Sequence, residues 1–110
     1  MNLNEFVKET FTDTEFVMRP QIVCKDGFKM SVQGSIGHYC SPRMNLDSYF
    51  RMEIGYPSEP EESILEFAED KDSPTDTVYG FVPCEIIQAL IDKHGGIDVK
   101  KTFEKRTKNQ

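Results

Sequence analysis

An α+β fold, with three to four antiparallel strands and two or three helices packed on one face, is predicted by three features of the chain. Two segments, residues 28–33 and 49–56, alternate apolar and polar residues at the period of a strand. A third, carrying Ile86, Ile87, Leu90 and Ile91, shows the stripe of an amphipathic helix and runs into Gly95-Gly96. At 110 residues the chain can build one core and not two. A single domain over residues 1–98 is therefore expected, followed by a basic, flexible tail at 99–110.

Composition supports a folded chain. Hydrophobic residues make up 37% and charged residues 29%, and the eight Phe and four Tyr are more than a disordered chain carries.

Leu3, Phe6, Val7 and Phe11 recur at helical spacing, and Asn2 or Asn4 can cap their start, so a first helix is expected over roughly residues 3–11. From Gln21 the pattern changes to Ile22-Val23-Cys24, then Lys25-Asp26-Gly27, then Phe28, Met30 and Val32 alternating with Lys29, Ser31 and Gln33. That is a hairpin with Asp-Gly at its turn. Gly34 and Gly37 are expected to bend or bulge its second strand. From Tyr49 to Tyr56 the alternation puts Phe50, Met52, Ile54 and Tyr56 on one face and Arg51 and Glu53 on the other. Pro57 closes this strand, and Glu61 to Phe67 forms a short helix with Ile64, Leu65 and Phe67 inward. Val78 to Val82 makes a further strand. Pro83 then suits the first turn of a last helix reaching His94, because its missing N–H costs nothing there.

No apolar run approaches the ~20 residues that span a bilayer, and the opening Met1-Asn2-Leu3-Asn4-Glu5 lacks the basic flank and apolar stretch of a signal peptide. The expected location is the cytoplasm. Three cysteines at irregular spacing do not form a disulfide framework and fit free thiols or metal ligands in a reducing compartment.

Cys24, His38, Cys40 and Cys84 are the one set with potential metal chemistry, since thiolates plus an imidazole make a tetrahedral zinc shell. His38 and Cys40, two apart in an extended segment, point to the same side. Cys84, at the start of the last helix, has the helix dipole to favour a thiolate. A structural zinc would add stability to a small core. The alternative is that Cys24 and Cys84 are small buried hydrophobes and His38 a surface or hydrogen-bonded side chain. Neither a Cys-x-x-Cys pair, a phosphate-cradling glycine loop, a nucleophile elbow nor a dinucleotide fingerprint occurs. A Cys40–His38 nucleophile and base on one strand would lack a third, orienting group. No enzymatic activity is expected.

Charge is unevenly spread over a net of −6. Between Pro57 and Asp76, Glu59, Glu61, Glu62, Glu66, Glu69, Asp70, Asp72 and Asp76 face only Lys71, a local charge of −7. From Val99 onward five basic residues face one Glu, giving +4. Both segments read either as solvated surface that keeps the protein soluble or, for the acidic one, as a docking face for a basic surface such as the nucleic-acid channel of another protein. Direct binding to nucleic acid is disfavoured by the net charge.

The stretches Met30-Ser31-Val32-Gln33-Gly34-Ser35, His38-Tyr39-Cys40-Ser41-Pro42-Arg43, Pro74-Thr75-Asp76-Thr77-Val78-Tyr79-Gly80-Phe81-Val82-Pro83 and Lys93-His94-Gly95-Gly96-Ile97 resemble short proteins of bacteriophages and mobile elements. In size, charge and lack of a catalytic motif the chain is similar in type to anti-CRISPR proteins, some of which are metal-stabilised. The resemblance implies an inhibitor of a basic host protein, such as a CRISPR effector nuclease, acting in the host cytoplasm. The alternative is a phage accessory module with a structural or regulatory role.

Overall fold

The computed structural model describes residues 1–14 and 17–108, of which 105–108 are described by backbone alone. Helix α1 (Leu3–Glu9) opens with a capping box: Asn2 Oδ1 accepts from the Glu5 N–H at 2.8 Å, and Glu5 Oε1 accepts from the Asn2 N–H at 3.0 Å. Four strands follow, β1 (Ile22–Val23), β2 (Lys29–Gln33), β3 (Arg51–Gly55) and β4 (Val78–Pro83), with a 3₁₀ helix (Glu62–Phe67) between β3 and β4. Helices α2 (Cys84–Lys93) and α3 (Val99–Lys108) end the chain. The sheet is an antiparallel meander in the order β1-β2-β3-β4. The expected α+β class is the observed one.

The Asp-Gly hairpin forms because Gly27 takes φ +98°, a conformation open to glycine. The loop closes through Cys24 and Phe28, whose N–H···O bond is 2.8 Å, and Ile22 pairs with Met30. On the inner face of the sheet, Ile22, Met30, Val32, Met52, Ile54, Tyr79 and Val82 are all fully buried. They form one core with Leu3, Phe6 and Val7 of α1 and Ile87, Leu90 and Ile91 of α2. Each such side chain contributes about 1.5–3 kcal/mol by leaving water. Gly95 and Gly96, at φ +89° and +92°, stop α2 where the sequence places its end.

Two expectations fail locally, and the expected strand at Val78 to Val82 forms with a bulge. The alternation of residues 49–56 holds only for Met52 and Ile54: Phe50 is 74% exposed and Tyr56 55%. Phe50 lies before the strand, at a groove lined by Asn2, Pro83 and Gln88, and Tyr56 at φ 49° turns out of the pleat. In β4, Val82 pairs with Met52 and Tyr79 with Ile54, so the three-residue step on β4 faces a two-residue step on β3. This bulge ejects Phe81 at φ 54° while keeping Tyr79 and Val82 inward. The strand β2, lastly, ends at Gln33, and residues 35–39 are turn and bend instead of extended chain. Gly34 is required there because a Cβ would lie 2.7 Å from the Tyr49 ring.

The basic segment expected as a flexible tail is helical through Lys108. Asp98 explains it: its Oδ1 accepts from the Lys101 N–H at 3.0 Å as an N-cap. Thr102 then seals the outer edge of β1, its hydroxyl accepting from the Val23 N–H at 3.0 Å and donating to the Val23 carbonyl at 3.2 Å. An otherwise open strand edge is thereby covered. Residues 109–110 of that segment lie outside the described residues.

Candidate functional site

The structure does not gather the four expected zinc ligands: His38 and Cys40 both contact Ser35, while Cys24 and Cys84 lie elsewhere. Cys24 is fully buried after β1 and bridges to Ile97. His38 sits in the turn after β2 with Nδ1 2.7 Å from Ser35 Oγ. The Cys40 thiol donates to the Ser35 carbonyl at 3.3 Å, and that of Cys84 to the Tyr49 carbonyl at 3.3 Å. Among the described residues, no three of these four bring ligand atoms within 4.8 Å of one another. Burial pushes Cys24 up to about 11, with Asp26 adding to it, and Cys84 likewise up to about 11, with Glu85 adding. The helix dipole at Cys84 is therefore outweighed by desolvation. Burial also raises the Cys40 thiol.

A different histidine organises the molecule. His94, the C-cap of α2, is 4% exposed and lies between two carboxylates: Nδ1 is 2.6 Å from Asp26 Oδ2 and Nε2 is 2.6 Å from Glu61 Oε1. Ionised carboxylates only accept, so both ring nitrogens donate and the ring is an imidazolium. The Phe28 ring stacks on it at 4.0 Å and 7°. Glu61, itself 4% exposed, also accepts from Lys93 Nζ at 2.7 Å, and Glu59 Oε1 stands 4.0 Å from His94 Nε2.

Each group titrates accordingly. Burial opposes charge on His94, but its bonds to Asp26 and Glu61 outweigh that and raise its pKa. Burial likewise works against the Glu61 carboxylate, and the bonds from Lys93 and His94 overcome it and hold the pKa low. The Phe28 N–H, then His94, lower Asp26. With both nitrogens engaged and almost no exposure, His94 is no general base in this state.

Local chemistry places the partners. Gly27 turns the hairpin so that Asp26 reaches α2, where the Asp26 N–H donates to the His94 carbonyl at 3.2 Å and the Lys25 N–H to that of Gly96 at 3.0 Å. Between Pro57 and Pro60 the chain is pinned to β2: the Ser58 N–H donates to the Lys29 carbonyl at 2.8 Å, and Ser58 Oγ accepts from the Lys29 N–H at 2.9 Å.

Of the eight carboxylates expected to face a partner, Glu61 is therefore buried in this network and does not. The other seven, Glu59, Glu62, Glu66, Glu69, Asp70, Asp72 and Asp76, are exposed. Their backbone is held in place. The Glu69 N–H donates to the Val78 carbonyl at 3.0 Å, the Asp70 N–H to Thr77 Oγ1 at 3.1 Å, the Asp76 N–H to the Ser73 carbonyl at 2.9 Å and the Tyr79 hydroxyl to the Pro74 carbonyl at 2.5 Å. On another part of the surface the bulge residue Phe81 meets Tyr39, ring centroids 5.9 Å apart, with the Arg43 guanidinium 5.4 Å from the Tyr39 ring.

Compared with protein-family models, curated proteins and solved structures, the chain matches none. The site is thus read from its geometry. Sequence reasoning missed Asp26 and His94, which it placed only as a turn residue and a helix end. The available signal was a histidine directly before a glycine stop, the position where a helix C-terminus favours a cation. Among the described residues no helix is long and apolar enough to cross a membrane.

Proposed function

We propose that this chain is a non-catalytic binding protein whose segment from Glu59 to Asp76 docks on the basic surface of a nucleic-acid-handling protein and obstructs it. The reading rests on one observation: seven exposed carboxylates stand on a backbone that internal hydrogen bonds already hold in one arrangement. A display fixed before binding loses little conformational entropy on contact, and a concentrated negative field steers encounter with a positive cleft. The net charge of −6 favours such a partner over nucleic acid itself. The resemblance in type to anti-CRISPR proteins makes a CRISPR effector nuclease the first target to test, with action in the host cytoplasm. The test is cleavage by the nuclease with wild-type protein and with Glu66, Glu69, Asp70 and Asp72 replaced by Lys. Inhibition that weakens with salt and disappears in the reversed variant supports the proposal. Equal inhibition by both places the contact elsewhere, and inhibition by neither supports a phage accessory module instead.

A further inference from the structure

We propose that Glu59, Glu61 and Nε2 of His94 bind one divalent transition-metal cation of the zinc class, with Asp26 as the outer carboxylate that orients the ring. The site lies at one end of the docking segment and shares Glu59 with its exposed carboxylates, but none of Glu66, Glu69, Asp70 and Asp72, so the charge-reversed variant leaves its ligands in place. It shares no ligand with the cysteine set expected from the sequence.

Four observations carry it. One atom from each of Glu59, Glu61 and His94 lies within 4.8 Å of the others, and ligands about 2.0–2.2 Å from a common ion follow when Glu59 moves in from 4.0 Å and the 2.6 Å contact between Nε2 and Glu61 opens to admit the ion. Asp26 at 2.6 Å from Nδ1 reproduces the carboxylate–histidine pairing that fixes the tautomer of a metal-bound imidazole and raises its basicity. Phe28 stacked at 4.0 Å and the Ser58 clamp on β2 hold the ring plane and the Glu59 backbone before any ion arrives.

Charge is the fourth. Asp26, Glu59 and Glu61 outnumber Lys93 and the protonated ring, so the cluster keeps an uncompensated negative charge. Exchange of the Nε2 proton for a divalent cation balances it. The step is a simple substitution: the N–H bond breaks, the proton leaves to solvent, and the freed lone pair binds the ion while Nδ1–H stays on Asp26. One imidazole nitrogen with two carboxylate oxygens suits zinc or its neighbours better than calcium or magnesium.

Glu59 makes the idea testable, because its side chain is 60% exposed and its nearest ionic contact is the 4.0 Å approach to Nε2. Its removal should spare the fold. Full-length protein stripped with chelator would be titrated with Zn²⁺ at neutral pH by calorimetry in two buffers of different ionisation enthalpy. About one zinc per chain is expected, with about one proton released for each. Glu59→Gln should melt like wild type yet bind about tenfold or more weakly, and Asp26→Asn, which touches no metal, should weaken binding about 10–100-fold. Co²⁺ in place of Zn²⁺ should give a nitrogen–oxygen spectrum free of thiolate charge transfer. Absence of binding, unchanged affinity in Glu59→Gln, or a thiolate–cobalt band would each overturn the proposal.

Discussion

Replacing Glu61 by Gln separates the acidic segment into its structural and its surface parts. Glu61 accepts two charge-assisted hydrogen bonds, from Lys93 Nζ at 2.7 Å and His94 Nε2 at 2.6 Å. The Lys93 side chain is 63% exposed, so its ammonium regains water and that bond contributes little net. His94 cannot do the same at 5% side-chain exposure. An amide keeps one acceptor but turns an NH₂ toward either Lys93 or the imidazolium, so the ring loses its charged partner or its proton. Bonds to charged groups contribute about 1.5–3 kcal/mol, and a loss of about 2 kcal/mol is expected. For a domain of this size that lowers Tm by on the order of 10 °C. The matched control, Glu62→Gln, alters an exposed carboxylate one residue away and should stay within about 0.5 kcal/mol of wild type. Urea unfolding followed by circular dichroism at pH 6, with chelator present, measures both, and the slope should be shared. If the two variants unfold together, Glu61 is a surface charge and the imidazolium cluster does not hold the fold.

Three further outcomes follow from the same contacts. With chelator present, the contribution of the His94 cluster to stability should be flat between about pH 4.5 and 6.5 and fall on both sides, superposed on a decline below about 6.5 from His38, whose pKa burial lowers. The contribution of His94, whose folded pKa is raised, is complete below its ordinary 6.5 and lost as pH rises through the folded value; those of Asp26 and Glu61, ordinarily 3.8 and 4.5 and lowered here, are complete above those values and lost as pH falls. A pH–stability curve for His94→Gln that keeps the alkaline limb would show that another group produces it. The three thiols should react with a thiol reagent only slowly in native buffer and rapidly in denaturant, because burial raises them all; fast native labelling of Cys40 would contradict its buried position. Gly34→Ala should cost about 1–3 kcal/mol, since the new Cβ meets a Tyr49 ring anchored by its hydroxyl to Met44 and Leu46. An unchanged melting curve would mean that the ring can shift.

The α+β class, the Asp-Gly hairpin, the inward Met52 and Ile54, the short helix after Pro57 and the end of α2 at Gly95-Gly96 were all legible along the chain. All of these rest on interactions within a few residues: a turn that needs positive φ, a period of two or 3.6, a proline without its N–H. The same local logic failed where pairing intervened. Phe81 reads as an ordinary strand position, and only the bulge against β3 turns it outward. Cys84 reads as a thiolate at a helix start, and only the packing that buries it reverses the effect of the dipole. The His94 cluster was illegible for a plainer reason. Asp26 is 68 residues and Glu61 33 residues from His94, and the three meet only because the meander sets the β1–β2 turn and the loop after β3 beside the end of α2. Charge counting assigned Glu61 to the surface because burial is a property of the assembled fold. A carboxylate can leave water only where other chain segments supply the donors that replace it.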